Sequence, residues 1–326
     1  MTRRFLFFLF LFISVSCGPQ KSELRKETFL PEESGKVSVQ SILHLEGTVV
    51  AGPSEIIACA GEKEITLYRN MEKEVFLSFR KPVGRLQWGA DGEHLYFIEY
   101  DNFIAPFHWM NAGTLKRYSL LTEEIQVLSH DGNVSFYTLS DELLYISLGS
   151  LYRCKVNKGG SDCEKIVNGF CVAAYPLGSR YALYRRTERE IIAVADKKGK
   201  IVAELDKGPV RNRLLPAYAL SAEGEEIVLD VRGRRERYRL RGKTLEPVSD
   251  GLPNRPLPAQ IITAGSMRIR WELEEEQITL FAVTGEEDIY LTHAPGKRPL
   301  DFQMWGEYVF LRWSDGALLI RLASAL

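Results

Sequence analysis

The sequence lacks the short motifs that mark the commonest catalytic and nucleotide-binding sites. It contains no GxSxG nucleophile motif, no HExxH zinc motif and no phosphate-binding loop. No CxxC pair or Cys/His spacing of a zinc site occurs, and the five histidines, at positions 44, 94, 108, 130 and 293, lie far apart. These absences predict a protein with no catalytic residues, no metal site and no cofactor.

The sequence also lacks an excess of charge of one sign. It has 42 basic and 43 acidic residues and a net charge of −1, so its charge gives no reason to expect a nucleic-acid partner. The uncharged apolar run at residues 5–13 is only nine residues long. A transmembrane helix needs about 20 apolar residues, so this run is too short for a permanent helical anchor.

The N-terminal residues instead have a layout typical of an export signal. Arg3 and Arg4 precede the apolar run, and small residues follow it, which predicts a signal peptide over residues 1–16. Cys17, directly after Val15 and Ser16, resembles the lipobox of bacterial lipoproteins, although Ser14 stands where Leu is usual. The resemblance implies that Cys17 becomes a lipid-bearing N-terminus. The alternative is an ordinary secreted protein cut near Ser16.

Lipid on Cys17 would hold the mature protein on a membrane of the bacterial cell envelope, because several acyl chains bind far more firmly than one. Gly18 is not the Asp that retains such proteins at the inner membrane of enteric bacteria, so the resemblance favours the outer membrane. Whether the protein then faces the periplasm or the cell surface stays open. The polar residues 17–36 cannot bury enough apolar area to fold, which predicts a flexible tether.

A repeat is the strongest signal in the rest of the chain. A short turn followed by four to six residues of strand character occurs seven times, at intervals of 40, 49, 37, 46, 41 and 41 residues. This spacing is typical of four-stranded β-propeller blades. The turns contain Gly52, Gly92, Asp141, Gly178, Gly224, Gly265 and Gly306. Alternating runs between the turns, with almost no helical periodicity, predict an all-β chain.

One of these repeats resembles a known family pattern. Trp88, Asp91 and Gly92, followed by the alternating residues 93–97, are similar to the WD40-like repeat of TolB-type bacterial propellers, with Gly89 and Ala90 in place of Ser-Pro. Residues 220–229 are a second, weaker copy. The resemblance spreads over most of residues 40–326 and implies a propeller fold, but it implies no particular function.

The two ends of the repeat region predict how the ring closes. The last repeat has no fourth strand of its own, whereas residues 37–43 read as a strand left over before the first repeat. We therefore expect residues 37–326 to form one β-propeller in which the N-terminal strand completes the last blade. Seven blades are expected; six is the alternative if the Gly265 repeat elaborates a neighbouring blade.

Four cysteines remain besides Cys17. Cys154 and Cys163 flank a turn-rich segment and could face one another across a hairpin, which predicts a disulfide; buried or free thiols are the alternative. The sequence assigns no partner to Cys59 or Cys171.

Two segments are candidate binding surfaces. Phe107, His108, Trp109 and Met110 lie in the longest interval, where a protruding loop would suit a protein interface, although packing of these side chains between blades is the favoured interpretation. Alternation along a strand places Arg237, Arg239 and Arg241 on one face, which could meet lipid phosphates or an acidic partner, although a solvated outer strand is the favoured interpretation.

Together these features predict a membrane-anchored envelope lipoprotein whose propeller is a non-catalytic protein-binding or assembly module. Its expected partners are the membrane, through Cys17, and another envelope protein. The alternative is a propeller enzyme, or a protein that binds a glycan or another small ligand at the mouth of the channel.

Overall fold

The computed structural model of the chain describes residues 26–28, 38–52, 55–102, 111–129, 131–140, 142–157, 160–210, 218–231, 234–248, 261–264, 267–274, 277–284, 287–295, 299–305, 307–313 and 316–323. These residues fold into antiparallel β-strands joined by turns, so the predicted all-β class is confirmed. Within them, no helix has the length and apolar character needed to cross a membrane.

The strands follow one another along the whole described chain. The first ten are β1 (Lys26–Thr28), β2 (Ser38–Glu46), β3 (Thr48–Ala51), β4 (Ile56–Ala60), β5 (Glu64–Arg69), β6 (Glu72–Ser78), β7 (Val83–Trp88), β8 (His94–Asn102), β9 (Ala112–Ser119) and β10 (Ile125–Val127). The next ten are β11 (Val134–Leu139), β12 (Leu143–Ser147), β13 (Ser150–Asn157), β14 (Gly160–Val167), β15 (Cys171–Leu177), β16 (Arg180–Arg186), β17 (Arg189–Asp196), β18 (Ile201–Pro209), β19 (Tyr218–Glu223) and β20 (Glu226–Val231). The last nine are β21 (Arg234–Arg241), β22 (Thr244–Pro247), β23 (Ile261–Ala264), β24 (Met267–Glu274), β25 (Gln277–Thr284), β26 (Glu287–Pro295), β27 (Asp301–Trp305), β28 (Tyr308–Trp313) and β29 (Gly316–Ala323).

These strands form sheets in which neighbours in sequence are mostly neighbours in space. Four sheets have four strands each: β3 to β6, β15 to β18, β19 to β22, and β23 to β26. Strands β7 to β14 form an eight-stranded sheet that consists of two four-stranded meanders joined where Val134 pairs with Gly113. The last sheet has the order β1, β2, β29, β28, β27.

The seven repeat strands expected from the sequence are the second strands of these meanders, so the predicted repeat is confirmed. They are β4, β8, β12, β16, β20, β24 and β28. In β4 and β12 every residue is buried. A strand buried on both faces needs a continuous apolar run, and this is why these strands stand out in the sequence.

The predicted pairing of the N-terminal strand with the strands of the last repeat is also confirmed. β2 pairs with β29 from Ser38 opposite Ala323 to Glu46 opposite Gly316, and so supplies the fourth strand of the last sheet. The structure adds a strand within residues 17–36, for which the sequence predicts a flexible tether. Lys26–Thr28 form β1, which pairs with β2 beyond β29.

Because the strands of each meander alternate in direction, their connections lie on two opposite sides of the sheet, where the strands begin and end. We use the word edge for these two sides. The turn between the second and third strands lies at the same edge as the passage to the next sheet. We call this the crossover edge; it includes Gly47 and residues 79–82, 148–149 and 168–170. We call the opposite edge, which carries the first and third hairpins, the hairpin edge; it includes residues 89–93 and 120–124.

The core lies between successive sheets. Leu43 and Phe310 of the last sheet pack in one cluster with Ile57 of the first. Ile65 of the first sheet packs in the next cluster with Phe97 of the eight-stranded sheet. Neighbouring sheets therefore share buried apolar side chains, which fixes them face to face.

The four cysteines among the described residues divide into one bonded pair and two buried thiols. Cys154 and Cys163 lie opposite one another on β13 and β14, and their sulfur atoms are joined in a disulfide. Burial, together with nearby Glu64 and Glu46, raises the pKa of Cys59 to about 12. Burial raises the pKa of Cys171 to about 11. Both thiols are therefore protonated, and thus poorly reactive, at neutral pH.

A polar cluster at the hairpin edge connects the eight-stranded sheet to the sheet that follows it. The Tyr181 hydroxyl donates to Glu142 Oε2 at 2.9 Å and accepts a hydrogen bond from Arg153 at 3.1 Å. The Lys197 ammonium lies 3.0 Å from Glu142 Oε1. Burial alone would raise the pKa of Glu142, but the hydrogen bonds from Lys197 and Tyr181 outweigh it and hold this pKa below its usual value.

We expect this cluster to stabilise the fold only while Glu142 is ionised. Because its pKa is lowered on folding, its contribution is present above about pH 4.5, the unfolded value, and is lost as the pH falls through the folded value. Glu142→Gln should therefore lower the free energy of unfolding at pH 7 by about 1 kcal/mol. Urea unfolding at pH 7 and pH 3 measures this difference; an equal loss at both values would contradict the assignment.

Candidate functional site

A groove of about 920 Å³ opens at the hairpin edge of the eight-stranded sheet. Its walls come from the hairpin between β7 and β8, from β9 and β10, and from the end of β13. The groove combines charged and apolar side chains, notably Asp91, His94, Arg117, Leu121, Ile125 and Val156. Concave sites that mix apolar walls with a few placed polar groups are typical of ligand and peptide binding.

Asp91 of the repeat motif at residues 88–97 builds one wall of the groove. Its Oδ1 accepts the backbone N–H groups of Glu93 at 3.0 Å and His94 at 3.2 Å, while Gly92 adopts a φ of 68°. Its Oδ2 lies 2.7 Å from Nδ1 of His94. Partial burial opposes ionisation of Asp91, but these hydrogen bonds outweigh it and lower its pKa. The motif residue therefore shapes the turn and leaves a carboxylate and an imidazole at the groove.

Arg117 contributes the positive charge of the groove. It lies on β9 opposite Gln126 of β10, and its Nε donates to Gln126 Oε1 at 2.6 Å. Burial raises the pKa of Tyr96, and the adjacent Arg117 partly offsets that effect. The guanidinium is thus held in place by its neighbours on β8 and β10.

The apolar rim of the groove is unusually exposed for large aliphatic side chains. Leu121 is 72% exposed and Ile125 is 42% exposed. Ile125 begins β10, a strand of three residues that pairs with β9 at the outer end of its meander. Clustered exposed apolar side chains beside polar groups mark an interaction surface more strongly than isolated ones do. Sequence reasoning missed this rim because its residues become neighbours only through the β9–β10 hairpin.

The arginines expected to form a basic face are paired with carboxylates. Arg237 and Arg239 both form ion pairs with Glu226, a buried residue of the adjacent strand β20. Arg241 Nε lies 3.4 Å from Oε2 of Glu246 on β22. These two carboxylates offset part of the positive charge of the three arginines, and the binding of phosphates or an acidic partner at this face stays a prediction.

The other residues that the sequence singles out lie outside the described residues. These are Cys17, the proposed lipidation site, and Phe107, His108, Trp109 and Met110, the proposed protein interface. Their assignments stay predictions. In the part of the chain that the structure describes, no group of three or more His, Cys, Asp or Glu side chains is placed to hold a metal ion.

The crossover edge carries two exposed apolar side chains that sequence reasoning also missed. Leu148 is 75% exposed and Phe170 is 59% exposed. Leu148 lies in the turn between β12 and β13, and Phe170 lies in the passage from β14 to β15. The two segments are hydrogen-bonded, because the Cys171 amide donates to the Gly149 carbonyl at 2.7 Å.

Comparison with known proteins identifies the fold but no family. No protein-family model and no curated protein sequence matches the chain. The structure is similar to the β-propeller domain of Cps50 (Swd1) from Myceliophteria thermophila, with a TM-score of 0.50 and 8% identity over 86% of this chain and 97% of that one. It is also similar to a chain of the mitotic checkpoint complex, with a TM-score of 0.50 and 11% identity over 92% and 99% of the two chains. A third similar structure is Kuenenia stuttgartiensis hydrazine synthase, with a TM-score of 0.50 and 11% identity over 86% and 96% of the chains.

At 8% and 11% identity these likenesses establish a fold of the β-propeller type and nothing about activity. In such a fold the sheets surround a central axis, so corresponding edges of the sheets lie on the same side of the molecule. The crossover edges thus form one face and the hairpin edges form the opposite face.

Proposed function

We propose that this protein is a lipid-anchored β-propeller of the bacterial envelope that binds another envelope protein and carries out no catalysis. Seven four-stranded blades form its ring, because the eight-stranded sheet contributes two blades and β2 completes the last. Lipid on Cys17 holds it to a membrane, preferably the outer membrane. The lipobox-like residues before Cys17 support the anchor, and the similarity to propellers supports the ring.

The groove on the hairpin face is the observation that carries the binding function. Leu121 and Ile125 expose apolar area that burial in a partner would remove from water. Ile125–Val127 form a short outer strand, and the outer side of such a strand can pair with an extended segment of another protein. A groove that offers both contacts suits an extended peptide segment.

Charge around the groove indicates what kind of segment binds. Asp91, Glu93 and Glu124 line it with carboxylates, against Arg117 and the imidazole of His94. The lining is therefore net acidic at neutral pH. A segment that carries apolar side chains and at least one Lys or Arg complements it.

The alternative function, an enzyme or a glycan-binding protein, places its site at the mouth of the channel. Such a site would be built from the first strands of the blades, which line the channel in propellers. The groove instead runs outward from the β7–β8 hairpin to β9 and β10, the last two strands of their meander, and none of its lining residues belongs to the first strand β7. Its outer position favours a protein partner.

Site-specific photo-crosslinking in intact cells tests this function. A crosslinking residue at Ile125 should capture one envelope protein through a peptide that contains Lys or Arg. The Leu121→Ser, Glu124→Arg double variant should lower the yield of that adduct roughly tenfold, because it removes apolar contact and reverses a charge.

The control places the same crosslinking residue at Phe76, which is 48% exposed on β6 of another sheet. This position should give no such adduct. Equal capture at Ile125 and Phe76, or an adduct that survives the double variant, would contradict the proposed groove.

A further inference from the structure

Leu148 and Phe170 lie in turns whose left-handed backbone conformation is unfavourable for their side chains. Leu148 and Gly149 have φ values of 49° and 73° and form a two-residue hairpin turn in which Asn-Gly is the preferred pair. Phe170 has a φ of 64° and follows Gly169, whose φ is 73°. A left-handed backbone is costly for Leu and Phe, because their Cβ atoms crowd the following carbonyl oxygen.

A similar turn elsewhere in the chain compensates for this cost by burial. Asn70 and Met71 have φ values of 53° and 65° in the turn between β5 and β6. Asn tolerates that backbone, and the Met71 side chain is only 3% exposed, in a core cluster with Leu43. Leu148 and Phe170 have no comparable compensation, since most of each side chain faces solvent. Strain kept at exposed positions indicates a function.

The strand β1 begins on the side of the same face. β1 is antiparallel to β2, with Lys26 opposite Leu43 and Thr28 opposite Ser41. The N-terminal end of β1, at Lys26, is therefore the end nearer to Glu46 and the crossover edge. Eight residues lie between Cys17 and Lys26, so the Cα atoms of these two residues are at most about 32 Å apart. The lipid on Cys17 would lie on the crossover side of the ring.

We propose that the crossover face docks on the membrane and that Leu148 and Phe170 insert among the lipids. This inference rests on the proposed anchor at Cys17. The two side chains lie at the tips of neighbouring connections, and such projecting apolar groups suit a fluid lipid surface better than a shaped protein pocket. A lipid anchor alone does not fix the orientation of the protein on the membrane. Insertion of Leu148 and Phe170 would bury apolar area and so stabilise one orientation.

This orientation directs the hairpin face, with the groove of Leu121 and Ile125, away from the anchoring membrane. The partner's basic segment then reaches the groove from the open side of the ring. Docking at one face and binding at the other are therefore compatible.

Vesicle binding by the chain from Gly18 onward tests the docking, since this chain keeps every described strand but carries no lipid. Vesicles of phosphatidylethanolamine and phosphatidylglycerol are the probe. The Leu148→Asn, Phe170→Asn double variant should bind them roughly tenfold less tightly, because two apolar contacts are lost. The same variant should raise the melting temperature by roughly 2–4 °C, because Asn relieves the strained turns.

A second measurement reports insertion directly. A polarity-sensitive dye on Leu148→Cys should shift to the blue on vesicles, whereas the same dye on Phe76→Cys should not shift. Cys59 and Cys171 will not compete for the dye, since both are buried and their pKa values are raised. Equal vesicle binding by the unaltered chain and the Asn variant, or no dye shift at position 148, would overturn the docking.

The test of membrane docking and the test of the protein-binding groove can fail independently. Loss of vesicle binding with an intact adduct at Ile125 would remove only the docking. Vesicle binding without any adduct at Ile125 would remove only the protein-binding groove.

Discussion

A chain that begins at residue 48 should lose its cooperative unfolding transition. It lacks β2, whose Ile42, Leu43 and Leu45 are all buried between sheets. Removing three buried aliphatic side chains costs roughly 5–9 kcal/mol, a large part of the 5–15 kcal/mol that stabilises a typical domain. The loss also exposes the unpaired backbone N–H and C=O groups of β29, which can pair with another chain and cause aggregation. Urea unfolding followed by circular dichroism measures the effect.

The matched control is a chain that begins at residue 38. It loses β1 but keeps β2, so we expect it to unfold cooperatively. A synthetic peptide of residues 38–46 should restore the transition to the shorter chain, because it supplies the missing strand in trans. An unchanged urea midpoint for the chain from residue 48 would refute the structural role of β2.

Gly113→Ala should destabilise the protein by about 3 kcal/mol. Gly113 lies on β9 where that strand meets both Tyr100 of β8 and Val134 of β11. A Cβ atom there would lie 2.5 Å from Tyr100 Cα and still closer to the carbonyl oxygen of Glu99. Backbone atoms of a sheet cannot move aside as a flexible side chain can, so the pairing must distort.

The variant Gly178→Ala serves as a control that distinguishes steric crowding, expected at Gly113, from the cost of a left-handed backbone. Gly178 has a φ of 55°, and a Cβ atom there would meet nothing within 4 Å. Its substitution should cost only the left-handed conformation, about 1 kcal/mol. Urea midpoints of the two variants compare the effects. Similar losses of stability in the two variants would show that crowding around a Cβ atom is not the reason why position 113 needs glycine.

If both proposals hold, the propeller binds a partner through one face and the membrane through the opposite face. Lipid at Cys17 and the exposed Leu148 and Phe170 would orient one face on the membrane, whereas Leu121 and Ile125 would bind a partner at the other. Orientation matters for an anchored protein because it decides which surface a neighbour can reach. A tether alone would leave both faces equally available.

Second strands such as β4 and β12 could be predicted because they are buried on both faces and need a continuous apolar run. β24 alternates between more exposed and buried residues and could be predicted from its turn and its place in the repeat. β10, with only three residues, is too short to carry such a signal. The arginines of β21 look like a basic face in sequence because their alternation is visible there. Their partner Glu226 lies on another strand, and only the register of β20 with β21 places it opposite Arg239.

The sequence by itself determined the all-β class, the spacing of the repeat, the use of the N-terminal strand in the last sheet and the hairpin of Cys154 and Cys163. Each of these follows from local turns, strand alternation or a strand left unpaired, which are properties of residues near one another in the chain. Only the tertiary structure decided the groove, the ion pairs of Glu226, the strained positions of Leu148 and Phe170, and the course of β1. These features depend on strand register and on packing between sheets. Both bring together residues that are far apart in sequence, so no local sequence pattern predicts them.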